Sequence, residues 1–244
     1  MKERILAILL AMVVAVATHA GPPASPSAAG ERKNTPWPAP EGETLAALRL
    51  KGDAKRGEEV YEVCVACHLP SGAGHPDGRL PQLAGQHSSV LIKQMADIRA
   101  GVRDNPAMYP FAATLTDPQQ LADVAAYIEQ LCIPVDHGRY AGQDAEKQRA
   151  IGRQLYAQEC RQCHGANGEG RKDKFYPVIA GQHYQHLLRQ MSEIRDGLRR
   201  NAHPEMVRII KQYEHEQLVA LSAYQSSLVM AGKQCKARAA AKKR

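Results

Sequence analysis

Large aromatic side chains are scarce in this chain: 244 residues include 1 Trp, 2 Phe and 9 Tyr. At ~100–200 residues per domain the length allows one large or two small domains, and two small ones need something other than rings to fill their interiors. No apolar run reaches the ~20 residues of a spanning helix, which excludes a multi-span membrane protein. A composition of 44% apolar and 23% charged residues excludes a disordered chain. The basic C-terminal stretch has no interleaved aromatics, so nothing argues for nucleic acid as a partner. What the chain does have is six cysteines, four of them in two C-x-x-C pairs.

The N-terminus sets an expectation for the compartment. Met1-Lys2-Glu3-Arg4 is a short, net-positive start, and the apolar run Ile5 to Ala17 follows it. Thr18-His19-Ala20 then offers small residues for cleavage after Ala20, the three-part pattern of a signal peptide over residues 1–20. The competing reading is an uncleaved anchor. No cysteine near the cleavage point suggests a lipoprotein. The expected localisation is the periplasm, where spare thiols persist as disulfides. Residues 21–47 are rich in Pro, Ala and Ser and read as a flexible leader that includes Trp37.

The chain repeats itself, which is the first thing to look for before any fold is assigned. Cys64-Val65-Ala66-Cys67-His68 recurs as Cys160-Arg161-Gln162-Cys163-His164, an offset of 96. Pro81-Gln82-Leu83-Ala84-Gly85-Gln86-His87 recurs as Pro177-Val178-Ile179-Ala180-Gly181-Gln182-His183 at the same offset. Gln94-Met95, Ile98-Arg99 and Gly101 likewise match Gln190-Met191, Ile194-Arg195 and Gly197. The reading is a tandem duplication, with domains at 48–134 and 148–235, a linker at 135–147 and a basic tail at 236–244.

Each copy reads as helical. Amphipathic stretches run from Asp53 to Val65 and from Glu146 to Gln162. Ser89 to Ala100 and Tyr184 to Asp196 place apolar residues at i, i+3, i+4 and i+7. Last helices are expected from Asp117 to Leu131 and from Glu214 to Met230, the first of them started by Thr116-Asp117-Pro118. The fold class is all-α. Three helices per copy with long glycine-bearing connections bury little by themselves and need a large apolar object to wrap.

Cys-x-x-Cys-His is the attachment signal for a c-type haem. Cysteines at i and i+3 on a helical turn present both sulfurs to one side, where they form thioethers with the two vinyl groups. The adjacent histidine then supplies the proximal iron ligand. The expected cofactors are two covalently bound haem c groups, on Cys64 and Cys67 and on Cys160 and Cys163, with His68 and His164 as axial ligands. A single zinc site made of both pairs leaves the two histidines unexplained. A thiol redox pair lacks its βαβ surroundings. For the distal ligands, Met108 and Met206 lie in proline-bearing loops 40 and 42 residues after His68 and His164, and a loop there can fold back over the far face of the haem. The rival is bis-histidine ligation through His75 or His203. Met95 and Met191 also repeat, but on apolar helix faces, where core packing accounts for them.

The pattern resembles the class I c-type cytochromes, and within them the two-haem tandem family called cytochrome c-4. The resemblance runs from about Asp53 to Met230. It rests on the two haem motifs, the Leu-Ala-Gly-Gln and Ile-Ala-Gly-Gln elements and the Gln-Met-x-x-Ile-Arg-x-Gly helices. The segment Thr114-Leu115-Thr116-Asp117 and the helix Leu121 to Tyr127 complete it. It implies two cytochrome c folds packed together, His/Met ligation, and one-electron transfer in a periplasmic respiratory chain. The implied partners are a quinol-oxidising cytochrome bc-type complex and a haem-copper terminal oxidase or other reductase. On this reading the protein is an electron-transfer protein and not an enzyme. A small di-haem enzyme resembling thiosulfate dehydrogenase, or a peroxidase, and a cytochrome subunit of a dehydrogenase are the alternatives. Two departures from the family pattern bear on the haem edges: Leu69-Pro70 after the first motif, and Lys211-Gln212-Tyr213 before the last helix.

Cys132 and Cys235 belong to no haem motif. Either they form a disulfide between the two domains or they are independent thiols. Residues 49–134 carry 8 basic and 10 acidic residues, whereas 148–244 carry 18 basic and 8 acidic. Such a split orients a protein on an acidic partner or on an anionic membrane surface, to which peripheral association is possible; a solvated tail is the bland account.

Overall fold

The computed structural model describes residues 40–235. The predicted signal peptide at 1–20, Trp37, the greater part of the leader and the basic tail at 236–244 lie outside the described residues. Among those described, ten α-helices and no strands are present, and no helix is long and apolar enough to cross a membrane.

The first half contains α1 (Gly42–Arg49), α2 (Ala54–His68), α3 (Ser88–Arg99), α4 (Tyr109–Thr114) and α5 (Pro118–Gln130). The second contains α6 (Ala145–Leu155), α7 (Arg161–His164), α8 (Tyr184–Arg195), α9 (Pro204–Ile210) and α10 (His215–Gln225). The end of the predicted leader is therefore corrected: α1 begins at Gly42. Its Ala47 is fully buried in the first core, and Glu43 pairs with Arg99 of α3. The segment folds because Ala47 and Leu48 meet the first core and Glu43 finds Arg99.

In each half the helix that leads into the haem motif, α2 or α6, crosses the last helix at a glycine. A Cβ at Gly57 would strike the backbone oxygen of Asp123, and one at Gly152 that of Ala220. The crossing is flanked in both halves by a pair of tyrosines in tilted contact, Tyr61 with Tyr127 and Tyr156 with Tyr224, each with ring centroids 5.3 Å apart. At α2 it is locked further, because buried Asp123 accepts from Asp53 N at 2.7 Å and from Arg56 Nε at 2.7 Å.

The two halves differ in one local respect. Gly57 and Tyr61 match Gly152 and Tyr156 at an offset of 95, yet the cysteines match at 96. The extra residue is absorbed by a single π-helical turn, Tyr156–Cys160, that separates α6 from α7. The continuous helix predicted from Glu146 to Gln162 is broken there. Tyr156 and Cys160 thereby keep the placements of Tyr61 and Cys64.

Helix α10 ends at Gln225, five residues before the predicted end. The hydroxyls of Ser226 and Ser227 turn back to the carbonyls of Ala223 and Tyr224, and the Ser226 carbonyl accepts from His137 of the linker. Its start is fixed by a capping box between Glu214 and Gln217, which takes over from the divergent Lys211-Gln212-Tyr213 segment. Within that segment Tyr213 is buried in the second core.

Cys132 and Cys235 form a disulfide, with Cα atoms 4.8 Å apart and a sequence separation of 103. Beside it Ile133 N donates to Lys233 O at 2.7 Å and Cys235 N to Ile133 O at 2.9 Å, so the exits of the two halves run side by side. Ile133 is fully buried, its side chain against Gly85 and Gly181, the repeated loop glycines.

Candidate functional site

Both Cys-x-x-Cys-His motifs open on one cavity of about 830 Å³ that extends through both halves. That lies toward the upper end of the ~300–1,000 Å³ of ordinary ligand pockets. From the first half its wall receives Cys64, Cys67, His68 and Met108. From the second it receives Cys160, Cys163, His164 and Met206. Between these polar atoms the wall is aliphatic, with Leu91, Ile98 and Val124 on one side and Leu187, Ile194 and Ile209 on the other. The cores are thin in rings because their centre is this hollow.

The two histidines sit at helix C-termini and are held alike. His68 Nδ1 donates to Pro81 O at 2.9 Å, and His164 Nδ1 to Pro177 O at 3.1 Å. That bond fixes the tautomer and leaves Nε2 available as a ligand atom. Burial pushes both imidazoles below their ordinary value, which keeps them neutral, as ligation requires. The turn that follows each motif is pinned by a buried tyrosine: Tyr61 Oη donates to Leu69 O at 2.9 Å and Tyr156 Oη to Gly165 O at 2.7 Å. Leu69 (φ 63°) and Gly165 (φ 79°) share a positive φ at this turn, which a leucine adopts only under strain.

Met108 is the N-cap of α4, and Met206 lies in the first turn of α9, where the sequence led us to expect loops. Prolines start both helices, Pro110 in the first and Pro204 in the second. Of the rival ligands, His75 is exposed and pairs with Asp77 at 3.0 Å. His203 does line the cavity, but its Nδ1 accepts from Glu205 N at 3.1 Å as the cap of α9. Met95 and Met191 line the wall while packing into their respective cores, as expected for helix-face methionines.

The zinc alternative finds no support, since no cluster of three or more His, Cys, Asp or Glu is poised for a metal among the described residues. Nor are Cys64 and Cys160 set up for thiol exchange. Burial pushes the Cys64 thiol up to about 11 and Cys160 to about 12, the opposite of an activated thiol.

Where the halves meet, the cavity is lined by charge. Arg103 donates to Gln94 Oε1 at 2.8 Å and to Gln190 Oε1 at 3.0 Å; Arg199 donates to Gln190 Oε1 at 2.9 Å and to Gln94 Oε1 at 3.2 Å. Burial and the neighbouring Arg103 charge push the Arg199 guanidinium down to about 9. Two such cations bordering an apolar hollow suit a flat apolar ligand that carries anionic side arms, as haem does with its propionates.

Comparison with known proteins agrees with this geometry. The chain matches the cytochrome c family over residues 54–132 and again over 150–228. It belongs to that family. It is 32% identical over 186 residues to cytochrome c4 of Azotobacter vinelandii, covering 71% of this chain and 88% of the relative. It is 30% identical over 207 residues to the thiosulfate dehydrogenase electron acceptor of Stutzerimonas stutzeri, covering 79% and 94%. The structure of reduced recombinant cytochrome c4 from Pseudomonas stutzeri superposes with a TM-score of 0.63 at 28% identity, over 73% of this chain and all of that one. The chain is a two-domain, di-haem cytochrome of the cytochrome c4 type, with its haem c groups at Cys64 and Cys67 and at Cys160 and Cys163.

Sequence reasoning noticed the repeated Gly-Gln-His element without assigning it a role. In the structure it is the seam between the halves. Gln86 bonds to the backbone of Val178 and Gln182 to that of Gln82. His87 Nε2 donates to Glu169 O at 2.9 Å and His183 Nε2 to Ala73 O at 2.8 Å. Repetition of polar residues that no local chemistry uses was the available signal.

Proposed function

We propose that the protein carries electrons in the periplasm, one per haem, with His68 and Met108 as the axial ligands in the first half and His164 and Met206 in the second. The supporting observation is that both halves present a complete His and Met pair to one cavity, so neither is set aside as an open catalytic centre. Bound haem supplies the ferric/ferrous couple; the protein contributes ligands, an apolar wall that excludes water, and cationic groups toward the propionates. On this reading residues 1–20 are a signal peptide removed after Ala20, and the working domains are 48–134, extended at its start by α1 from Gly42, and 148–235.

The donor is read as a quinol-oxidising cytochrome bc-type complex and the acceptor as a haem-copper terminal oxidase. The similarity to a thiosulfate dehydrogenase electron acceptor supports a second reading, in which the donor is a soluble dehydrogenase. A near-infrared spectrum of the oxidised protein, together with a carbon monoxide test of the reduced one, examines the ligand set. Thioether-to-ferric bands from both haems and no carbon monoxide binding are expected. Rapid binding at one haem would move the assignment toward an enzyme. Stopped-flow mixing with reduced quinol-oxidising complex or with dehydrogenase and thiosulfate then separates the donors.

A further inference from the structure

The peptide unit that holds each proximal histidine is itself held by the opposite half of the molecule. His68 Nδ1 donates to Pro81 O at 2.9 Å. The nitrogen of the same peptide belongs to Gln82, and it donates to Gln182 Oε1 at 3.0 Å. Gln182 Nε2 returns a bond to Gln82 O at 2.9 Å. The arrangement recurs with the halves exchanged. His164 Nδ1 donates to Pro177 O at 3.1 Å; Val178 N donates to Gln86 Oε1 at 2.9 Å, and Gln86 Nε2 donates to Val178 O at 2.9 Å. Gln82 and Gln182 are both buried, so water does not compete for the bonds between them; the Gln86 bonds to Val178 are half-buried.

We propose that Gln182 and Gln86 are positioning residues that act across the seam, each setting the redox potential of the haem bound by the other half. An acceptor on the N–H of an amide draws electron density toward its carbonyl oxygen, because the two ends share one resonance system. The Pro81 carbonyl becomes a stronger acceptor for the His68 N–H, and the ring becomes a more basic ligand. A more basic proximal ligand favours the ferric state and lowers the potential. Gln182 therefore acts on the haem at Cys64 and Cys67, and Gln86 acts on the haem at Cys160 and Cys163. The inference rests on His68 and His164 being the proximal ligands, as proposed above.

The test uses the full di-haem protein with Gln182→Met, which keeps side-chain length and removes both bonds, and Gln86→Met as its mirror. Spectroelectrochemical titration gives the potentials, and the 15N shifts of His68 and His164 Nδ1 in the reduced protein report each ring separately. For Gln182→Met the ferrous/ferric ratio of the first haem at a fixed applied potential is expected to rise about threefold to tenfold, the scale of one buried hydrogen bond. The second haem and the His164 shift stay unchanged, and Gln86→Met reverses the pattern. Gln182→Glu, which retains an acceptor for the Gln82 N–H, brings the first haem back toward its original potential. The proposal is overturned if both potentials move together, if neither moves, or if each substitution acts on the haem of its own half. Absence of imidazole ligation in the unsubstituted protein would instead overturn the axial assignment beneath it, and the near-infrared spectrum reads that separately.

Discussion

Ile133 fills the space that a Cβ on Gly181 would need, and its Cγ1 and Cδ1 lie against the corresponding position on Gly85. One side chain from the exit of the first half thus wedges between the two equivalent loops that form the seam. Ile133→Ala leaves a cavity there and should cost about 2–4 kcal/mol. In guanidinium titrations the midpoint falls, and the two haem absorbances cease to change together. An unchanged midpoint would show that the wedge is dispensable.

Leu69 holds a φ of 63° and a ψ of 159°, a region that glycine occupies freely and other residues occupy at about 1–3 kcal/mol. The second half already has Gly165 at the matching turn. Leu69 is exposed, so Leu69→Gly removes little packing. We expect a net gain of about 1 kcal/mol, after the greater freedom of glycine in the unfolded chain is counted. Equilibrium unfolding measures it, and a loss of stability would contradict the account of strain.

The disulfide between Cys132 and Cys235 joins the ends of the two halves. Replacing both by serine should lower stability by about 2–5 kcal/mol. Mass measurement should still find two haems, because the four attachment cysteines are untouched.

Stability should also fall on mild acidification. Burial lowers His183 and His137 below the ordinary imidazole value, against the raising effect of their bonds to Ala73 O and Ser226 O. Both are therefore bound neutral in the native state, and below ~6.5 the unfolded chain takes up more protons. The stabilisation is full above about pH 6.5 and is lost as pH drops through the lowered native values. A thermal midpoint followed from pH 8 to pH 5 should show the decline, and His183→Gln should make it shallower.

Deleting Gln158, an exposed residue of the π turn, should restore the spacing found between Tyr61 and Cys64 and convert the turn to ordinary helix. The shortened protein is expected to retain both haems by mass and an unchanged Soret band. Loss of the second haem would show that the turn has a role beyond absorbing one residue.

Helices α3 and α8 were legible in the sequence through their apolar periodicity, and α2 and α5 also through a local start signal, Asp53 before α2 and Asp117-Pro118 at α5. The haem motifs were legible because their chemistry is local. The short α4 and α9 were not, since six and seven residues span fewer than two turns, and the eight-residue α1 was hidden behind the Pro-, Ala- and Ser-rich stretch before it. The seam was the largest omission. Gln86, Gln182, His87 and His183 stood out only as repeated letters, because their partners lie 82 to 110 residues away. The disulfide was undecided for the same reason, as nothing local says that Cys132 meets Cys235.

The seam is reciprocal: what the first half does to the second, the second does to the first through the same two residue types. This is the geometry of an isologous interface between two copies of one chain. Covalent linkage gives the pair two further properties. The halves face each other at a fixed effective concentration that dilution cannot reduce. They are also free to differ, as Gln82 and Val178 already do at equivalent places, so a symmetric scaffold can hold two redox centres of unequal character in a set order.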